Sequence, residues 1–160
     1  NQDDITDVAI DPTGKLVAST SMDETANIWN IETTELVRTI RFGHTQSIQS
    51  VHFHPYLNPP IILTCSEDQT CRIWDVESGE SIQALTNHKG AVLHGVLSVH
   101  GKYAITISED QFLRTWNLLP SLEEVLDFVD PLEELLQDIP GDERSSIWPN
   151  EYLEKEILKE

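Results

Sequence analysis

Leu63-Thr64-Cys65-Ser66-Glu67-Asp68-Gln69-Thr70-Cys71-Arg72-Ile73-Trp74-Asp75-Val76 decides how the rest of the chain is read. Small and β-branched residues end in a Ser-Glu-Asp-Gln turn, and a second run rich in strand formers climbs to a Trp-Asp pair. The pattern is that of two strands joined by a tight polar turn. It is written twice more. Ser21-Met22-Asp23-Glu24-Thr25 leads to Ile28-Trp29-Asn30, and Ser108-Glu109-Asp110-Gln111 leads to Thr115-Trp116-Asn117. In every copy the Trp lies six residues after the turn Asp, and from Trp to Trp the spacing is 45 and then 42 residues. Self-similarity at such a period marks a stacked repeat, each unit too small to bury its own faces.

Other positions recur at the same period. Gly43-His44 and Asn87-His88 open the second and third copies, Pro12 and Pro55 close the first strand of theirs, and Gly14 and Gly101 precede Asp23 and Asp110 by nine residues. Taken together, residues 5–118 resemble three consecutive WD repeats of a β-propeller. The resemblance implies an all-β fold of about three four-stranded antiparallel blades, over 1–42, 43–86 and 87–118.

Strands are expected over 5–10, 16–21, 25–30 and 36–41 in the first repeat, and over 48–53, 61–66, 70–76 and 81–85 in the second. In the third they are expected over 92–97, 103–108 and 112–118. That last blade lacks its outer strand, because Pro120 and Ser121 follow at once. Ser121-Leu122-Glu123-Glu124 reads as a capping box, and apolar residues recur at helical spacing up to Pro140-Gly141. A short α-helical, acidic tail is therefore expected over 119–160, with residues 121–139 covering the open third blade. In the WD-repeat family the last blade usually takes its outer strand from the beginning of the propeller. Three blades are also too few to close a ring. The chain is therefore expected to be the C-terminal part of a larger propeller.

Whole-chain numbers narrow the function. Net charge is −18, from 28 acidic and 10 basic side chains. Such a surface repels phosphate backbones and anionic lipid, so nucleic-acid and membrane partners are disfavoured. No apolar run is long enough to span a bilayer. Cys65 and Cys71 flank one turn, where a cross-hairpin bond is geometrically conceivable. The preferred reading is two small buried thiols in a cytoplasmic, reducing setting.

Recurring Ser/Thr, His and Asp invite a hydrolase reading. The family resemblance implies instead a structural, hydrogen-bonded tetrad in each blade. It would comprise His44, Asp68, Trp74 and either Thr64 or Ser66 in the second repeat, and His88, Asp110, Trp116 and either Thr106 or Ser108 in the third. In the first it would comprise Asp23, Trp29 and either Ser19 or Ser21, with Asn1 standing where a His is expected. Occurrence once per blade argues for scaffold, since an active site is needed once. His52 and His54 alternate along one strand, but no third ligand is placed beside them, so neither metal nor cofactor is expected. The seven glycines are scattered, with no phosphate-cradling loop.

What remains is display. The resemblance implies that partners dock on the loops bearing the His and the turn Asp, here Glu24, Thr45, Gln46, Glu67, Gln69, Lys89, Glu109 and Gln111. The expected function is a non-catalytic protein–protein interaction scaffold. One alternative is the regulatory end of a larger signalling enzyme, a kinase or NTPase whose catalytic domain lies upstream. Another is a three-blade protein completed by self-association.

Overall fold

The structure, a computed structural model, describes residues 2–55, 59–99 and 101–118. The expected helices after 119 and the insertion at Tyr56, Leu57 and Asn58 lie outside the described residues, as do Asn1 and His100.

Among the described residues every regular element is a strand. The first sheet runs β1 (Ile5–Ile10), β2 (Leu16–Ser21), β3 (Ala26–Asn30) and β4 (Leu36–Ile40). The second runs β5 (Ile48–Phe53), β6 (Ile61–Ser66), β7 (Cys71–Asp75) and β8 (Ser81–Leu85). The third has β9 (Val92–Leu97), β10 (Tyr103–Ser108) and β11 (Leu113–Asn117). All pairs are antiparallel between neighbours in sequence, so each sheet is an up-and-down meander. Among the described residues the fold is a partial propeller of three blades.

Turn chemistry sets the short connections. After β1, Asp11 accepts hydrogen bonds from the Leu16 and Thr13 amides at 2.6 and 3.1 Å, and Gly14 takes the left-handed corner at φ 74°. Gly101 does the same in the third blade at φ 65°. The third strand of each blade starts one residue later than the apolar pattern suggested. The amides of Thr25, Thr70 and Phe112 bond to the turn aspartate rather than to the ladder. A register slip in each inner pair, at Ile5/Asp7, Ile48/Ser50 and Ile107/Ser108, is a bulge that the alternation of residue types did not reveal.

The inner strands β1, β5 and β9 lie side by side, which stacks the sheets face to face. Ala18, Ala26, Ile28 and Ile40 of the first blade meet Ile48, Val51, Phe53, Ile62 and Trp74 of the second in one buried cluster. The opposite face of the second blade carries Leu63 and Cys65, and β9 approaches it closely. A Cβ on Gly95 would come within 2.5 Å of the Cys65 sulfur. Cys65 and Cys71 face each other across β6 and β7, both buried and both free thiols. The neighbouring Cys65 and burial both push the Cys71 thiol up, so it stays protonated.

The outermost faces are open. Val8 and Ile10 on the first blade are 62% and 63% exposed, whereas Val51 and Phe53, their counterparts in the second, are 3% and 4% exposed. On the far side Tyr103, Ile107 and Leu113 are exposed.

Candidate functional site

At one end of the strands, three turns of the same design follow β2, β6 and β10. The Ser66 hydroxyl accepts the Asp68 amide at 3.1 Å and donates to the Gln46 carbonyl at 3.1 Å. Ser108 joins Asp110 to the Gly90 carbonyl, and Ser21 joins Asp23 to the Asp3 carbonyl, in the same way. One carboxylate oxygen of each Asp then accepts the amide two residues on. That closure holds Glu24, Gln69 and Gln111 at φ 67°, 70° and 67°.

Behind each turn runs a chain of side chains. The Trp74 indole N–H donates to the Thr64 hydroxyl at 2.8 Å, and Thr64 donates to His44 Nε2 at 2.7 Å. His44 Nδ1–H donates to Asp68 at 2.9 Å. In the third blade Trp116, Thr106, His88 and Asp110 form the same chain at 2.8, 2.8 and 2.9 Å. The structure thus divides the two hydroxyls of each repeat. Thr64 and Thr106 stand in the indole–imidazole chain, while Ser66 and Ser108 tie the turn to the preceding loop. In the first blade Trp29 donates to Ser19 at 3.2 Å, and the amide of Gln2 bonds to Asp23. That amide stands where those of Thr45 and Lys89 meet Asp68 and Asp110.

Burial pushes the Asp68 carboxyl up, but hydrogen bonds from His44, Thr70 and the Thr45 amide outweigh it and hold the group below its ordinary range. At Asp110 burial is likewise outweighed, by the Lys89 amide, His88, the Phe112 amide and Arg114. The Arg114 guanidinium lies 2.7 Å from that carboxylate, in place of the hydroxyl that Thr70 gives to Asp68.

The Thr64–His44–Asp68 order of contacts is that of a nucleophile, a base and its orienting acid. Burial sets its chemistry apart. Thr64 and Thr106 are 0% exposed, and the oxygen of each already accepts an indole N–H. A substrate carbonyl has no approach to either hydroxyl. His52 lies in β5 and accepts the Leu97 amide at 3.4 Å, while His54, just past the end of that strand, is buried against Gly101. No cluster of three His, Cys, Asp or Glu side chains with metal-binding geometry occurs among the described residues.

The exposed parts of this end are the loop residues themselves. Glu24, Thr45, Gln46, Glu67, Gln69, Lys89, Glu109 and Gln111 all face solvent. Met22, in the first of these turns, does so as well, as do two neighbours that the motif-based reading passed over, Phe42 and Phe112. Their signal in the sequence is departure from the repeat, not membership of it.

Residues 1–30 and 34–75 match the family model described as WD domain, G-beta repeat. The chain is 34% identical to WD repeat-containing protein 37 of Mus musculus over 105 residues, which cover 66% of this chain and 21% of that protein. The Homo sapiens protein of that name is 33% identical over the same shares. A "Probable cytosolic Fe-S cluster assembly factor" of Schizosaccharomyces japonicus is 30% identical over 113 residues, 70% of this chain and 18% of that protein. The chain thus spans about a fifth of the length of the curated relatives it matches. With the repeats visible in sequence, sheet order and turn geometry alike, the chain belongs to the WD-repeat family.

Proposed function

We propose that this chain is a non-catalytic interaction scaffold that presents the loops at the His-bearing end of its blades to protein partners, as WD repeats generally do. One observation carries the reading. The residues that look catalytic occur once per blade and are buried in hydrogen-bonded chains, while charge and exposure gather in the loops around them. The chains lock blade to loop, and the loops meet the partner. Glu24, Glu67 and Glu109 give this end a negative cast, with Arg41 and Lys89 as the opposing charges. A partner with a basic contact surface fits that balance. Buried free thiols and a relative named as cytosolic support a cytoplasmic setting.

Charge reversal tests it. Tagged full chain, a Glu24→Lys/Glu67→Lys/Glu109→Lys variant and a Glu32→Lys/Glu77→Lys variant at the opposite end are compared by quantitative affinity capture from cell extract. The first variant is expected to lose the proteins that wild type retains, and the second to keep them. Equal retention by both variants would remove the loops from the function.

A further inference from the structure

Among the described residues, those with positive φ obey the repeat with one exception. Glu24, Gln69 and Gln111 are equivalent turn positions, Gly14 pairs with Gly101, and Thr34 pairs with Gly79. Phe42, at φ 64°, has no such counterpart, because Thr86 occupies its place in the next repeat without that conformation. A bulky aromatic residue in the left-handed region is a backbone outlier. The ring is also 99% exposed. The local cause lies one residue on. Gly43 packs onto the Trp74 ring so closely that a Cβ there would come within 2.2 Å of it. The main chain is pressed down on the indole, and the Phe42 side chain is turned out to solvent.

Two further departures from the repeat put apolar side chains at the same end. Met22 stands where the other repeats have Glu67 and Glu109, and is 48% exposed. Phe112 stands where they have Thr25 and Thr70, is 62% exposed, and lies under the Arg114 guanidinium at 5.2 Å. Residues held in common by the blades build the scaffold. Residues that break the pattern, and are held out in water, have no such duty.

We propose that Phe42 is the apolar anchor of the loop-end docking surface, and that its occupant is a basic segment of a partner protein carrying an aliphatic or aromatic residue. This rests on the loop-display reading above and names the chemistry of the partner. Exposed aromatics are the usual source of concentrated binding energy at an interface once a partner covers them. Glu24, Glu67 and Glu109 outnumber Arg41 and Lys89 among the exposed charges of this end, a balance that favours a segment rich in Arg or Lys over an acidic one. Residues 119–160 carry 13 acidic and 3 basic side chains, so the chain's own tail has the wrong sign for this surface.

The test uses the full chain and a synthetic peptide alternating arginine with leucine, with a control in which serine replaces leucine, by titration calorimetry. Wild type binds the leucine peptide more tightly than the control. Phe42→Ala weakens that binding about tenfold while melting no lower than wild type. Phe42→Gly, which keeps the left-handed backbone, gives the same loss should the alanine variant fold poorly. If Phe42 variants bind as wild type does while Glu24→Gln/Glu67→Gln/Glu109→Gln binds weakly, the anchor is wrong and the loop surface stands. If neither set weakens binding, both readings fall. No binding by wild type, or equal binding of the serine control, overturns the proposed partner chemistry. Sedimentation showing a wild-type dimer that Phe42→Ala dissociates would make a second copy the occupant and overturn the proposal.

Discussion

At the scale of single residues, position within the hydrogen-bonded chain separates neighbours that look alike in sequence. Asp68 and Glu67 are adjacent acids in one turn. Asp68 accepts from His44, Thr45 and Thr70, while Glu67 points to water and meets Gln49 at 2.8 Å. Removing Asp68 leaves buried donors unmatched, at a cost of about 1–3 kcal/mol. Asp68→Ala should therefore lower the melting temperature, and Glu67→Ala should leave it nearly unchanged, as thermal unfolding by circular dichroism will report. The Asp68 carboxyl is lowered on folding, so its stabilisation is complete above its ordinary value of 3.8 and drains away as pH falls towards the folded value. His54 acts in a different window. Burial pulls its pKa from 6.5 down to about 4, so the folded state keeps it neutral while the unfolded chain takes up a proton. Stability from this residue is present above 6.5 and is lost between there and about 4. Urea unfolding measured across that interval should show a decline that His54→Gln flattens.

At the scale of elements, the interface between β6 and β9 is set by a missing side chain. Gly95 lets β9 lie against Cys65, Leu63 and Thr106, with no room for a Cβ. Gly95→Ala overpacks that interface and should cost about 1–3 kcal/mol. Adding Cys65→Ala returns space and should recover part of the loss, a coupling that a double-mutant cycle in urea will measure. The strands themselves were legible in the sequence: Leu16–Ser21, Ile61–Ser66 and Tyr103–Ser108 fall where the alternation of small and β-branched residues put them. What alternation could not give was the bulge near Ile48, because register is decided by the partner strand. Nor could it choose between Thr64 and Ser66. Both are hydroxyls on one strand, and only the fold shows which meets the indole and which meets the loop carbonyl. Gly95 was unreadable for the same reason: its demand comes from a side chain 30 residues away.

At the scale of the molecule, the blades repeat a single contact. Each inner strand lies beside the next, and each Trp-bearing face looks back towards the preceding blade, so the second blade is covered on both sides. Among the described residues the first and third are each covered on one, with Ile10 and Leu113 at 63% exposure. The proposed loop display depends on that stacking, because the loops of all three blades emerge at the same end of the strands. Departures from the repeat, Met22, Phe42 and Phe112, emerge there too. The most direct measurement is a backbone amide chemical-shift map of the full chain titrated with the arginine–leucine peptide. Shifts are predicted in the loops at 22–24, 42–46, 67–69, 87–90 and 109–112. Shifts confined to the opposite loops, at 11–15, 31–35 and 75–80, or to the open strand faces, would contradict the account.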